Sequence, residues 1–370
     1  MKEFMVRPSV YKFDTVREFI KDFDLGKEDF ILTTKPVFEF HLKELNLECQ
    51  IKFYEMYGEG EPSDEKVEKI YEDIVGTPKR VIAVGGGSVL DIAKLFSLKR
   101  ITPVEDLYDG KFEPIKDKEL VLVPTTCGTG SEITNIAILE LINKGTKKGL
   151  SSDEMFANAA VLIPELLQGL PFKVFASSSI DALIHAVEST LSPNGNEITR
   201  IFSYKAVEMI LKGYILIRDK GEEYRSELLG DFSLASLLAG IAFSNAGCAA
   251  VHALSYPLGA KYHIPHGESN YAVFMGVMNN YMELKTDGEI KVLRTFISKI
   301  LSCDEEDAFI GLEELLECIL TKKKLSEYGV SEYELVIFAK SVMENQERLM
   351  KNNFVELDEE RVLKIYKELY

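Results

Sequence analysis

The order of apolar and polar residues divides the chain into two parts of different character. In the first part, short apolar or β-branched runs alternate with longer amphipathic stretches, which is the pattern of strands and crossover helices in a parallel sheet. The candidate strands are DFILTT, CQIKFYEMY, RVIAVGGG, LVLVPTT and AVLIP. The stretch SDEKVEKIYEDIV, with Ser63 as a candidate N-cap, has the apolar spacing of a crossover helix. We therefore predict a doubly wound, parallel α/β domain over residues 1–176.

Strand-like runs fade in the second part, and apolar residues recur at helical spacing instead. The long helical patterns begin with SSIDALIHAVESTLS, ITRIFSYKAVEMILKGYILIRD and RSELLGDFSLASLLAGIAF. We predict an all-helical domain over residues 177–370. Two domains also suit the length, because 370 residues exceed the roughly 100 to 200 that are usual for one domain.

The composition argues against several kinds of partner. The 60 acidic and 43 basic residues give a formal net charge of -17, and no basic cluster could follow a phosphate backbone, so we expect no nucleic-acid partner. The N-terminal residues lack the pattern of a signal peptide and we identify no membrane-spanning run, so we expect a cytoplasmic protein without a membrane partner. The five cysteines are scattered without a CxxC pair, which argues against a disulfide framework and a thiolate zinc site.

Two glycine-rich turns are candidate phosphate sites. The strand RVIAV runs into the turn GGGS at residues 85–88, where backbone N–H groups at the start of a helix can point at a phosphate. Ser88 is a candidate N-cap of that helix, with Asp91 in a capping-box position. A turn without a ligand is the plainer alternative, and the motif departs from GxGxxG. A second turn, PTTCGTGSE at 124–132, follows the strand LVLV, and two such turns at strand ends favour an extended ligand with phosphates.

One acidic residue and several histidines form a candidate metal site. Asp181 and His185 lie four residues apart on a predicted helix and so share one face, although a hydrogen bond on that face is an equal alternative. His252, His263 and His266 lie in a segment whose prolines and glycines indicate a bent backbone, and each alone is more simply a structural residue. One carboxylate with three imidazoles suits Fe(II) or Zn(II) better than magnesium or calcium.

Together these motifs resemble the iron-containing (group III) alcohol dehydrogenase family. GGGSVLDIAK, PTTCGTGSEIT, DALIHAVE and VHALSYPLGAKYHIPHG occur in the family's order and at its spacing, over essentially the whole chain. The resemblance implies an N-terminal Rossmann-like dinucleotide-binding domain, a C-terminal helical domain for metal and substrate, and an active site in the cleft between them. It implies a homodimeric oxidoreductase that transfers a hydride between NAD(H) and a small alcohol or aldehyde.

The resemblance also implies roles for individual residues, by motif position. The metal ligands would be Asp181, His185, His252 and His266, with Fe(II) favoured and Zn(II) as the alternative. The cofactor contacts would be Gly86, Gly87, Ser88 and Asp91 at the pyrophosphate, Thr125, Thr126 and Thr129 beside the ribose and nicotinamide, and Lys148 at the ribose. His263 is a candidate for passing a proton to solvent, with a structural role as the alternative.

The chain departs from the family pattern at four places. Tyr256 stands where many relatives have a histidine, so the resemblance does not carry a proton relay over to this position. Thr34 stands where many have an aspartate that disfavours a 2′-phosphate, so NAD is favoured only by the closer resemblance and NADP stays open. Ser178-Ser179 and Pro164-Glu165 are interpreted as local turn changes.

Within the family, YKFD, GEPSDE, TKKG and HALSYPLGAKYHIPHGESNY are most similar to enzymes that convert 4-hydroxybutyrate and succinate semialdehyde. The alternatives are a short diol or a primary alcohol as substrate, a lyase of the dehydroquinate synthase type, and a non-catalytic nucleotide-binding protein. The lyase would need a strongly basic pocket, and the sequence has no clustered basic motif. Retention of all four candidate ligands argues against the non-catalytic protein.

Overall fold

The structure is a computed structural model that describes residues 3–58 and 60–370. These residues form two compact units, an α/β unit of Val6–Leu170 and a helical unit of Pro171–Tyr370 with residues 3–5. The predicted boundary after residue 176 lies six residues further along the chain. The helix that carries Asp181 begins at Phe172, directly after Pro171, so the change of unit coincides with the start of that helix.

A parallel sheet forms the centre of the α/β unit. The strands among the described residues are β1 (Ser9–Lys12), β2 (Asp29–Thr33), β3 (Gln50–Phe53), β4 (Arg80–Gly85), β5 (Glu119–Pro124), β6 (Ile136–Leu141), β7 (Thr146–Ser151) and β8 (Ala159–Leu162). Six of them pair in parallel in the order β1-β8-β5-β4-β2-β3, and β6 and β7 form a separate antiparallel hairpin. The predicted parallel sheet is confirmed.

The five predicted strands correspond to β2, β3, β4, β5 and β8. Their central members are buried, which explains their continuous apolar runs. Strand β1 and the β6–β7 hairpin were not predicted from the sequence. All four residues of β1 are exposed at the edge of the sheet, and most residues of β7 are exposed, so neither strand carries the apolar signal of a core strand.

The strand order creates a crevice at the carboxyl ends of the central strands β2 and β4. The chain leaves β2 toward β3 on one side and leaves β4 toward β5 on the other. Such a reversal opens a space for a ligand at the carboxyl ends of the two strands. Thr33 of β2 pairs with Val84 of β4, and its Oγ1 donates to the Val84 carbonyl at 2.7 Å. The crevice therefore lies beside the glycine turn that follows Val84.

Helices cover the sheet. They are α1 (Val16–Asp22), α2 (Lys35–Val37), α3 (Asp64–Glu72), α4 (Gly87–Phe96) and α5 (Val104–Tyr108), joined by a π-helical segment, Phe38–Leu42, and by short 3₁₀ segments at Lys43–Leu45, Tyr54–Tyr57, Ser131–Ile133, Ile142–Lys144, Asp153–Met155 and Pro164–Leu167. The predicted helix after Ser63 is confirmed, because the Ser63 hydroxyl accepts from the Lys66 N–H at the start of α3.

The prediction that Ser88 caps α4 is wrong. The N-cap is Gly86, in an extended conformation and without a side-chain cap. The amides of Val89 and Leu90 both donate to the Gly86 carbonyl, so the first turn closes on Gly86 and Ser88 already lies inside the helix. The Asp91 carboxylate bonds elsewhere, as described below, and forms no capping box.

The helical unit is built around α6 (Phe172–Leu191). The other helices are α7 (Glu197–Lys220), α8 (Leu229–Ala246), α9 (Ala250–Tyr262), α10 (His266–Leu284), α11 (Glu289–Leu301), α12 (Ala308–Ile319), α13 (Glu332–Asn345), α14 (Glu347–Met350) and α15 (Glu359–Leu369), with 3₁₀ segments at Glu222–Leu228, Glu305–Asp307 and Leu325–Tyr328. Every residue of α6 from Ser179 to Leu191 is buried, and α7, α8 and α10 pack around it. A helix buried on all faces is a core helix.

One helical stretch, Glu222–Ala246, is long and apolar enough by composition to cross a membrane, which the sequence analysis did not identify. In its most apolar window, 61% of the residues are buried inside the protein. Its main part, α8, packs on α6 and α7. These contacts are those of a core helix.

Candidate metal centre and glycine-rich turns

Helix α6 brings Asp181 and His185 together inside the helical unit. Both side chains are buried, and Asp181 Oδ2 lies 3.9 Å from His185 Nδ1. The His185 ring stacks on Phe243 of α8, with centroids 4.3 Å apart and planes 18° apart. The stacked ring fixes the plane of the imidazole.

Two further histidines reach the same point from α9 and α10. His252 Nε2 lies 3.0 Å from His185 Nε2 and 3.9 Å from Asp181 Oδ1. His266 Nε2 lies 3.8 Å from the same Asp181 oxygen. We call Asp181, His185, His252 and His266 the Asp–His quartet. Each member offers one ligand atom, and these atoms all lie within 4.8 Å of one another.

The quartet is buried on most sides and open on one. Asp181, His185 and His252 are buried, whereas the His266 side chain is 39% exposed. One carboxylate and three imidazoles are donors that suit a borderline divalent metal. The donor set and its convergence therefore fit a metal ion, and the exposed side of the site is at His266.

Neighbouring groups shift the pKa values of two quartet members, Asp181 and His252. Burial alone would raise the pKa of Asp181, but the three histidines and Asn270 together hold it below its ordinary value, so the carboxylate is anionic. Burial alone would lower the pKa of His252, but Cys248 and Glu188 raise it well above its ordinary value. Burial raises the pKa of the Cys248 thiol itself.

Two residues of α10 that shape this site, Asn270 and Gly267, were not predicted from the sequence. Asn270 donates from Nδ2 to Asp181 Oδ1 at 2.7 Å and lies 3.2 Å from His266 Nε2. Its Oδ1 is buried and has no hydrogen-bond partner within the part of the chain that the structure describes. Gly267 lets α10 approach α6, because a Cβ there would lie 2.2 Å from the Ser177 carbonyl oxygen. The i,i+4 spacing of His266 and Asn270 was visible in the sequence, but the close approach of α6 was not.

The two glycine-rich turns contact each other in the α/β unit. A Cβ on Gly87 would lie 2.8 Å from Thr129 Cγ2, and one on Gly86 would lie 3.5 Å from Thr126 Cγ2. The Thr125 amide donates to the Gly85 carbonyl at 3.0 Å, which ties the ends of β4 and β5 together. The turns thus form a cradle at the N-terminus of α4, in which position 87 has no room for a Cβ.

A buried polar cluster lies behind this cradle. Asp91 Oδ1 accepts from Ser131 Oγ at 2.6 Å and from Lys94 Nζ at 3.0 Å, and Oδ2 accepts from the Ile138 amide at 3.1 Å. Lys94 is fully buried and also donates to Thr134 Oγ1 at 3.0 Å. The Asp91 carboxylate therefore bonds inward to the second turn and to β6, and each of its oxygens has a partner within the protein.

The remaining predicted residues lie in simpler surroundings. Lys148 is exposed on β7, with Nζ 3.2 Å from Asp109 Oδ1. Thr34 caps α2 at the end of β2, beside the crevice. His263 ends α9 in the left-handed conformation, with φ 52°, and is exposed. The Tyr256 ring centroid lies 6.4 Å from that of His266, one helical turn beyond His252.

Comparison with known proteins gives consistent results. Residues 9–164 match the family described as iron-containing alcohol dehydrogenase, and residues 175–370 match the one described as Fe-containing alcohol dehydrogenase family, C-terminal. The chain is 50% identical over 371 residues to 4-hydroxybutyrate dehydrogenase from Clostridium kluyveri, with 100% of both chains covered.

Solved structures resemble the chain over its whole length. The iron-containing alcohol dehydrogenase from Thermotoga maritima superposes with a TM-score of 0.81 at 26% identity, covering 100% of this chain and 99% of that one. Sulfoacetaldehyde reductase from Bifidobacterium kashiwanohense, solved in complex with NAD+, superposes with a TM-score of 0.85 at 22% identity, covering 100% and 98%. The shared fold has an α/β part followed by a helical part.

Proposed function

This chain belongs to the iron-containing alcohol dehydrogenase family, and from that premise we propose that it interconverts 4-hydroxybutyrate and succinate semialdehyde with NAD(H). The observation that carries the proposal is the convergence of the Asp–His quartet within 4.8 Å. Full-length identity of 50% to 4-hydroxybutyrate dehydrogenase supports the choice of substrate.

The quartet is the proposed metal site, with Fe(II) favoured and Zn(II) as the alternative. A divalent ion held there supplies Lewis-acid polarisation of the substrate oxygen. Asp181 brings the anionic charge, and the Phe243 stack and the Asn270 amide orient the ligands. His266, on the exposed side, would stand nearest to an entering substrate.

The cradle of the α/β unit is the proposed site for NAD, which carries the hydride. The backbone of Gly86, Gly87 and Ser88 would hold the pyrophosphate at the N-terminus of α4, while Thr125, Thr126 and Thr129 would line the ribose and nicotinamide side. We propose that Asp91 supports this turn from behind instead of touching the pyrophosphate, because its oxygens bond to Lys94, Ser131 and Ile138. Lys148 would contact the ribose.

Proton exchange with solvent needs an exposed group near the quartet. His263 is exposed and precedes His266 by three residues, which supports the proposal that it passes the proton. Its left-handed backbone also ends α9, and histidine is among the residues that tolerate this conformation. Replacement by asparagine, which keeps the helix end, separates the two roles.

The carboxylate of 4-hydroxybutyrate needs a cationic partner, and we propose Arg348. This residue lies on α14, which packs against α9. Burial raises the pKa of Tyr256, and the charges of His252 and Arg348 oppose that rise, which supports a position of Arg348 on the side of α9 that carries Tyr256. Arginine is the side chain best suited to hold a carboxylate.

We further propose a cytoplasmic homodimer whose other partners are small molecules. The five cysteines are widely scattered, and no disulfide joins them within the residues that the structure describes, which supports a reducing compartment. The exposed edge strand β1 offers unpaired backbone groups to a second copy.

A substrate panel tests the proposed function. Anaerobically purified, Fe(II)-loaded protein is assayed with 4-hydroxybutyrate, 1-butanol and 1,3-propanediol, each with NAD+ and with NADP+. We expect the highest kcat/KM with 4-hydroxybutyrate and NAD+. Equal rates on 1-butanol and 4-hydroxybutyrate would contradict the hydroxyacid substrate, and a preference for NADP+ would contradict the cofactor.

A further inference from the structure

We propose that Glu188 is a positioning residue of the metal site, which holds the His252 ring so that Nε2 faces the other members of the quartet. The inference rests on the proposed function, because it concerns the same site. It assigns a role to a residue that neither offers a ligand atom to the quartet nor contacts the substrate.

The contact between Glu188 and His252 is short and buried. Glu188 is 1% exposed and lies on α6, three residues after His185. Its Oε2 lies 2.6 Å from His252 Nδ1. A proton on Nδ1 donates to this carboxylate, which leaves the lone pair of the ring on Nε2, the atom that lies 3.0 Å from His185 Nε2.

The same carboxylate also fixes the start of the helix that carries His252. Ala249, the N-cap of α9, has no side chain that could accept from the first helical amides. Glu188 takes this place: Oε1 accepts from the Val251 amide at 2.6 Å and Oε2 from the Ala249 amide at 3.0 Å. An anion at this end of α9 is also favoured by the helix dipole. The Glu188 side chain therefore bonds both to the first amides of α9 and to the His252 ring.

All three groups around the carboxylate are donors, which makes the effect of Glu188→Gln specific. An amide has one oxygen, so its NH₂ group must face at least one of the donors. If that NH₂ faces His252, it favours the ring with Nδ1 as acceptor and the proton on Nε2. That proton occupies the lone pair that a metal needs.

The chain offers a matched control at the other end of α9. Glu334 is also buried, and it holds the last turn of α9 by accepting from Tyr262 Oη at 2.7 Å and by pairing with Lys261. The side-chain partners of Glu334 are Lys261, Tyr262 and Ser331, none of which belongs to the quartet. Glu334→Gln removes a buried carboxylate from the same helix without touching the proposed ring contact.

The experiment measures metal affinity in full-length, chelator-stripped protein. Zn(II) and Co(II) are titrated against a chromophoric chelator for wild type, E188Q and E334Q, together with the Co(II) visible spectrum and thermal unfolding. We expect both variants to unfold at lower temperature, but only E188Q to bind Zn(II) about 10- to 100-fold more weakly and to change the Co(II) spectrum. E188Q with wild-type affinity, or E334Q with an equal loss, overturns the inference.

Failures of the proposed function look different: if the quartet is not a metal site, wild-type protein binds neither metal, and if only the substrate is wrong, the substrate panel fails while the metal affinities of wild type, E188Q and E334Q keep the expected order. If E188Q does not fold, zinc-loaded wild-type protein with ¹⁵N-labelled histidine decides the question, with His252 assigned by comparison with His252→Gln. We expect His252 to carry its proton on Nδ1, protected from exchange, and a proton on Nε2 overturns the inference.

Discussion

Gly267 and Ser177 are in such close contact that a Cβ on Gly267 would lie 2.2 Å from the Ser177 carbonyl oxygen. The same Cβ would lie 3.3 Å from the Cβ of Asp181. Since His266 immediately precedes Gly267, this approach of α10 to α6 sets the separation of His266 from Asp181, which is 3.8 Å between Nε2 and Oδ1. A backbone contact thus determines the geometry of the Asp–His quartet.

Gly267→Ala should weaken metal binding as well as folding. The added methyl group forces α10 away from α6, which costs about 1–3 kcal/mol in overpacking and moves His266 out of reach. We expect the Zn(II) dissociation constant of chelator-stripped protein to rise at least about tenfold, the change that about 1.4 kcal/mol produces. Gly169→Ala is the control, because nothing lies within 4 Å of its Cβ position. Unchanged affinity in a folded Gly267→Ala protein would refute this account of the site.

Gly87→Ala should impair cofactor binding and leave the metal site intact. Its Cβ would lie 2.8 Å from Thr129 Cγ2, so the two turns must separate and the amides at the start of α4 must shift. Fluorescence titration is expected to show at least about a tenfold rise in the NADH dissociation constant, again about 1.4 kcal/mol. The Zn(II) affinity should equal that of wild type. A variant that binds NADH normally would mean that the cofactor does not use this turn.

The free energy of unfolding should depend on pH through Glu132, the last residue of the second turn. Burial raises the pKa of Glu132 from 4.5 to about 7, although its own backbone and Lys94 oppose the rise. Because the native state prefers the protonated acid, this group stabilises the fold below pH 4.5, and that stability is lost as the pH rises through about 7.

Glu132→Gln should remove this dependence. The free energy of unfolding of wild type should fall relative to that of the variant by up to about 3 kcal/mol between pH 4.5 and pH 8. Urea unfolding at both pH values measures the difference. A constant difference between the two proteins would show that Glu132 does not titrate in this range.

Arg348→Met should affect only substrates with a terminal carboxylate. A charge-assisted hydrogen bond contributes about 1.5–3 kcal/mol, so the KM for 4-hydroxybutyrate should rise about 10- to 100-fold, while that for 1-butanol stays unchanged. Lys351→Met removes a positive charge from the same segment, where Lys351 pairs with Glu347 at 2.7 Å, and should change neither value. A parallel rise for both substrates would assign Arg348 a structural role.

Much of the fold could be predicted from the sequence because buried elements carry a strong apolar signal. The family and the combination of a parallel sheet with a helical part are confirmed. The edge strand β1 escaped prediction because its residues are all exposed. The N-cap of α4 was predicted two residues too late, at Ser88 instead of Gly86. Glycine has no side chain that could mark it as a cap, whereas serine is a common capping residue.

The residues alone indicated a pair of ligands where the two are close in sequence, and the resemblance to the family added His252 and His266, which lie on other helices. Asp181 and His185 share a helix face, and their spacing indicated a pair. The role of Glu188 depends on how α6 packs against the start of α9, 61 residues away, and no local pattern reports that contact. Asp91 lies in a motif that suggested a ligand contact, but its partners Ser131 and Ile138 come from distant segments that turn the carboxylate inward.

The most direct test of the central claim is metal-dependent oxidation of NADH with succinate semialdehyde. Anaerobically purified protein is assayed with added Fe(II), with a chelator, and as the His266→Ala variant, whose folding is checked by circular dichroism. The account predicts turnover that requires the metal and is lost in the variant. Folded, metal-loaded wild-type protein that oxidises neither NADH nor NADPH with this aldehyde, or a His266→Ala variant as active as wild type, would contradict it.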